Sequence, residues 1–121
     1  MSKKLGLLLS SILFVVASFI FSVAPAAAET YTVTMGSDKG ALQFIPDKLT
    51  INAGDTVNFE MNKMGPHNVL FKGKANKGLS HKKMLNKSGD SYATTFDTPG
   101  KYKYFCQPHR GAGMTGTIIV K

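Results

Sequence analysis

The chain has 121 residues with a single cysteine, and its 15 lysines and arginines against 7 aspartates and glutamates give a formal charge of +8. One cysteine excludes an internal disulfide, and the length allows one small domain. Basic character points to partners with negative surfaces; nucleic acid is a poor candidate, because no nucleic-acid-binding motif is present and the chain opens like an exported protein.

Lys3 and Lys4 make a positive start, residues 5–23 are an almost unbroken apolar run, and Ala26-Ala27-Ala28 supplies the small residues of a cleavage site. That is the layout of a secretory signal peptide over residues 1–28. The run is also about long enough for an uncleaved membrane anchor, but the alanine site followed at once by Glu29 and Thr30 favours cleavage. Removing 28 of the 121 residues leaves 29–121, a domain of 93 residues with 13 basic and 7 acidic side chains, or +6. In that size range a bound metal can help hold the fold.

Short alternating stretches between turn residues then predict the strands of an all-β sandwich. Tyr31, Val33 and Met35 alternate with threonines as a half-buried strand, and residues 36–40 form a turn. Residues 42–45 make a short strand stopped by Pro46. Leu49 and Ile51 share a face before Asn52-Ala53-Gly54-Asp55 turns the chain. Val57, Phe59 and Met61 form the next inward row, and residues 68–71 are another apolar strand. The rhythm breaks over residues 72–90, which hold Lys72, Lys74, Lys77, Lys82, Lys83 and Lys87 with three glycines. Within it, residues 79–86 predict one short helical segment with Ser80 as its cap. Strand character returns at Tyr92, Thr94 and Phe96, and Pro99-Gly100 is a turn. Tyr102, Tyr104 and Cys106 then alternate, so all three face the core. Tyr104 in that position needs a hydroxyl partner or a route to solvent. Residues 115–120 close the sheet.

The chemistry concentrates at the end of that penultimate strand. Cys106-Gln-Pro-His109-Arg-Gly-Ala-Gly-Met114 places a thiol, an imidazole and a thioether in one tight loop, and His67 sits upstream in Gly65-Pro66-His67-Asn68. Soft ligands of this kind select copper, and two histidines, one cysteine and an axial methionine are a blue-copper electron-transfer set. An unpaired thiol in an exported protein is a liability unless buried or ligated. Pro108 stiffens the approach to His109, and Gly111 and Gly113 let the chain bring Met114 back. Asn68 is placed to hydrogen-bond across to the loop carrying Cys106 and hold the two segments together. Zinc also binds cysteine and histidine, but methionine is an unusual zinc ligand. His81, in the lysine-rich segment, has no comparable company.

These residues resemble plastocyanins, specifically those of the cyanobacterial type, over essentially all of residues 29–121. The segments Gly65-Pro66-His67-Asn68-Val69 and Cys106 to Gly116 are highly specific, and the run from Met35 to Leu42 is supportive. The resemblance implies a Greek-key β-sandwich of the cupredoxin class with one type 1 copper, cycling between Cu(I) and Cu(II), on His67, Cys106, His109 and Met114. It implies a one-electron carrier and not an enzyme. The carrier would shuttle from cytochrome f to photosystem I in the thylakoid lumen, peripheral to the membrane complexes and monomeric. It also implies an apolar docking patch at Leu42, Gly65, Pro66, Gly111 and Ala112, with core packing the less favoured alternative for Leu42. Arg110 matches a position where a positive charge serves partner recognition. Two features depart from family patterns. Lysines occupy the region that is acidic in plant members, and Phe105 stands where many members have tyrosine.

A pseudoazurin-like or amicyanin-like carrier of the periplasm shares the ligand spacing, but the Gly-Ala-Gly-Met loop and Leu42 favour the plastocyanin reading. A copper-delivery protein would expose several methionines. The chain has Met35, Met61, Met64 and Met84 besides Met114, but Met35 and Met61 fall on core-facing parity, which argues against a methionine-rich delivery site. A copper enzyme would need further ligands or a vacant position, and neither is visible.

Overall fold

The computed structural model describes residues 27–121, so the expected signal segment, apart from Ala27 and Ala28, lies outside the described residues. Nine strands follow in order: β1 (Thr30–Met35), β2 (Phe44–Ile45), β3 (Lys48–Ile51), β4 (Thr56–Met61), β5 (His67–Phe71), β6 (His81–Leu85), β7 (Ser91–Thr95), β8 (Gly100–Phe105) and β9 (Thr115–Val120). They form two sheets, ordered β2-β1-β4-β7 and β3-β9-β8-β5-β6. The chain passes repeatedly from one sheet to the other, which makes a Greek-key sandwich. Each sheet joins a sequence-distant pair in parallel, β1 with β4 and β3 with β9.

The period of two decides which side chains meet between the sheets. Val33 and Met35 of β1, Val57, Phe59 and Met61 of β4, and Ile118 and Val120 of β9 are all buried. An aromatic cluster spans the gap. The Tyr104 ring lies 4.7 Å from Phe44 and 5.2 Å from Phe59, edge to face in both cases, the arrangement that ring quadrupoles favour.

Tyr104 also shows where the core is tightest. Its hydroxyl is buried and has no hydrogen-bond partner among the described residues, so neither the expected partner nor a route to solvent is present there. Burial pushes the phenol's pKa up. Opposite it in the β8–β9 register is Gly116, where a Cβ would stand 2.2 Å from Tyr104 Cζ. Glycine is required at 116 by space, because the ring fills the volume a side chain would take.

The expected helical segment over residues 79–86 is corrected by the structure. The helical segment in this region is a 3-10 helix at Lys74–Leu79, and residues 81–85 are the strand β6. Ser80 is extended, and its hydroxyl accepts the Phe71 backbone N–H at 2.8 Å rather than capping a helix. Pairing with the edge of β5 satisfies the backbone better than an isolated helical turn, which is costly to nucleate. Leu79 is held by a bond from the Tyr92 hydroxyl to its carbonyl at 2.7 Å.

Replacing Gly116 by alanine forces a methyl into the Tyr104 ring. The expected loss is about 1–3 kcal/mol of stability, as for other overpacked cores, read as a lowered urea midpoint with an unchanged slope.

Candidate metal centre

The parity of β8 delivers the first donor. With Tyr102 and Tyr104 inward, Cys106 falls on the same side just past the strand's end and is fully buried. The chain then makes the β8–β9 hairpin connection and closes it with its own backbone. The Cys106 N–H donates to Met114 O at 3.0 Å, and the Met114 N–H donates to His109 O at 3.2 Å. Arg110–Ala112 form one turn of 3-10 helix, and Gly113 ends it in the left-handed region at φ 86°, which glycine adopts without strain. Met114 thus returns, fully buried, beside Cys106 and His109.

His67 opens β5 from the neighbouring strand. Its ring is buried, and Nε2 lies 2.7 Å from the Lys63 carbonyl oxygen. A carbonyl only accepts, so Nε2 carries the proton and Nδ1 keeps its lone pair. That Nδ1 faces Cys106 Sγ at 3.6 Å and His109 Nδ1 at 3.2 Å, and His109 Nδ1 lies 3.4 Å from the same sulfur. His67, Cys106 and His109 therefore present three donors within 4.8 Å of one another. Tetrahedral donors at ordinary metal distances of about 2.0–2.3 Å from a common centre stand roughly 3.3–3.8 Å apart, close to the separations found, so the cluster fits a single ion.

Burial pushes the Cys106 thiol's pKa up, while hydrogen bonds from the Asn68 and His109 backbones pull it down. Burial lowers the His67 pKa, opposed by the Lys63 carbonyl and reinforced by His109. The neutral imidazole that a metal requires is thus the favoured form at neutral pH.

Asn68, buried next to His67, joins the two donor segments. Its Oδ1 accepts the Gln107 backbone N–H at 2.7 Å, and its Nδ2 donates to Lys82 O at 3.1 Å and Gln107 Oε1 at 3.3 Å. The remaining candidates lie around this pole. Pro66, Gly65, Arg110, Gly111 and Ala112 are exposed, and His109 is half-buried among them. Leu42 is only partly exposed and packs against the core. Gly65 is constrained from beneath, since a Cβ there would meet Met61 Cε at 2.4 Å. His81 is outside the cluster, with its ring 4.6 Å from Tyr92. Two contributors went unnoticed in sequence. Lys63 acts through its carbonyl, which no side-chain pattern reveals. Gln107 is the only candidate to answer Asn68 from within the loop.

A buried Cys–His–His cluster closed by a methionine, at one end of a two-sheet sandwich, defines a single-site cupredoxin. Comparison with known proteins agrees. The model of the copper-binding proteins of the plastocyanin/azurin family matches residues 31–121. A plastocyanin of Prochlorothrix hollandica is 46% identical over 125 residues, covering 100% of this chain and 95% of that one. A plastocyanin of Nostoc punctiforme is 48% identical over 130 residues, covering 98% and 94%. The oxidised plastocyanin of Dryopteris crassirhizoma superposes with a TM-score of 0.68 at 31% identity, over 74% of this chain and 99% of that one. The chain belongs to the plastocyanin/azurin family of copper-binding proteins, whose members are electron carriers and not enzymes.

Asn68→Ala leaves the Gln107 N–H without its acceptor and removes the only side-chain bonds that Asn68 makes to the loop. About 1–3 kcal/mol of stability should be lost, and copper retention against a chelator should weaken roughly ten- to a hundredfold. The metal-free protein should also be acid-sensitive through His67. Its folded pKa lies below the unfolded value, so below about pH 6.5 the unfolded chain binds more protons and stability falls. Urea midpoints of the metal-free form should decline between pH 7 and 5, and less steeply in His67→Gln.

Proposed function

We propose that His67, Cys106, His109 and Met114 bind one copper ion as a type 1 centre, and that the protein carries single electrons from cytochrome f to photosystem I in the thylakoid lumen. The observation that carries this is the triangle of soft donors, buried on two corners and reaching the surface at the third. Bound copper would supply a one-electron change between Cu(I) and Cu(II). The protein's part is to keep the donors where both oxidation states accept them. The backbone-closed hairpin holds Cys106, His109 and Met114, and the Lys63 carbonyl and Asn68 hold the His67 side.

His109 brings the donor set to the surface among Pro66, Gly111 and Ala112, which are exposed and mostly small. A partner can approach closely over such a rim and exclude water, and its limited area suits a brief encounter. The named plastocyanin relatives support the photosynthetic assignment. Export of residues 29–121 after cleavage near Ala28 would place the carrier in the lumen. Among the described residues, no helix is long and apolar enough to cross a membrane. Copper delivery is disfavoured because Met35 and Met61 are buried in the core rather than gathered at a surface.

Spectra of the copper-loaded protein test the centre. The parent should show an intense visible copper–thiolate band and reversible one-electron reduction. Cys106→Ser should lose the band entirely, since a serine oxygen cannot replace the thiolate; a variant that stayed blue at parental intensity would refute the ligand set. Arg110→Glu should slow exchange with cytochrome f by up to about tenfold at low salt with the spectrum unchanged, measured by stopped flow across a salt series.

A further inference from the structure

Phe105, the last residue of β8, is half-buried and points away from Tyr104 and Cys106 by strand parity. The Arg110 guanidinium carbon lies 4.2 Å from the centroid of its ring, well inside cation–π range. Arg110 begins the 3-10 turn that carries Gly111 and Ala112 to the apolar rim. The same ring helps wall a groove of about 410 Å³ that Leu70, Lys77, Lys82 and Gln107 also line. Lys77 and Lys82 are exposed, and residues 72–89 contain no aspartate or glutamate to neutralise them.

We propose that Phe105 is a specificity-determining residue of docking: its ring seats the Arg110 charge and walls the Lys77–Lys82 groove, joining rim and groove into one surface for a protein partner that presents carboxylates. This deepens the electron-carrier reading and rests on it. The physical gain is preorganisation. An exposed arginine is rich in rotamers and loses that freedom when a partner pins it; a guanidinium already seated on an aromatic face loses less. The seat also sets direction. It fixes the charge at the junction between the copper-loop rim and the basic groove, so a carboxylate drawn to the groove brings its neighbours over His109.

Three measurements on the full copper-loaded chain in the Cu(I) form test this. The Arg110 Nε proton should be shifted upfield in NMR spectra by the ring current of Phe105, return to the ordinary arginine position in Phe105→Leu, and stay shifted in Phe105→Tyr. Titration with a short glutamate-rich peptide should perturb Lys77, Lys82, Phe105 and Arg110 together. Phe105→Leu should weaken that binding by about twofold to fivefold, the factor an exposed cation–π contact corresponds to, and Phe105→Tyr should restore it. With cytochrome f the leucine variant should be slower by a similar factor at low salt and equal to the parent at high salt. Equal peptide affinity in the leucine variant, perturbations away from the groove, or a slowing that persists at high salt would overturn the proposal. If the parent fails to react with cytochrome f while the peptide results hold, the photosynthetic reading fails and the docking surface stands.

Discussion

One buried carboxamide couples the two halves of the metal centre. The donors come from segments 39 residues apart; the β5–β8 ladder sets their register at Leu70↔Phe105 and Phe71↔Tyr104, and beyond that pairing something must tie the loop after β8 to the start of β5. Asn68 does so by accepting the Gln107 N–H and donating to Gln107 and Lys82. Because the amide is buried, each of these bonds would otherwise be an unsatisfied polar group, and the cost of breaking one exceeds the net value of making it. The loop after β8 is therefore held to the start of β5 by a penalty for leaving it.

The same logic explains why the donors stay together. A thiol and two imidazole nitrogens in an apolar interior have few partners, and here they face one another at 3.2 to 3.6 Å. The Lys63 carbonyl pins the far nitrogen of His67, and the hairpin pins Cys106 to Met114. A site held this firmly from outside changes little when its charge changes, and small reorganisation is what rapid one-electron exchange requires. Metal binding and folding are linked through these groups, and the lowered pKa of His67 marks where that linkage meets acid.

Much of this was legible in the chain because alternation is a strong signal in half-buried strands. Val33 and Met35, Val57 through Met61, and Tyr102 through Cys106 all face the interior as their parity demands. The side of the fold on which the cysteine sits followed from counting by twos. The region around Ser80 was misread because its residues favour a helical turn locally, while the open edge of β5 offers backbone partners that only the assembled sheet supplies. Lys63 was invisible for a different reason, since it contributes an atom that every residue possesses. Tyr104 was foreseen as inward, but its lack of a partner depends on Gly116 and the surrounding rings, which are distant in sequence.

The surface divides its tasks in a way the interior does not. Around His109 it is exposed and short of charge, which permits close approach and weak, rapid release. Away from it, over residues 72–89, lysines are unopposed by acids and project a field that acts at the range of a Debye length, about 10 Å at 0.1 M salt. A carrier must find its partner quickly and leave it quickly, and these demands conflict if one patch serves both. On the proposed reading, long-range attraction falls to the lysine segment and close contact to the apolar rim, which separates them. Arg110 stands where the two meet: it is part of the copper loop by sequence and part of the basic surface by charge, and its seat on Phe105 keeps it at that boundary.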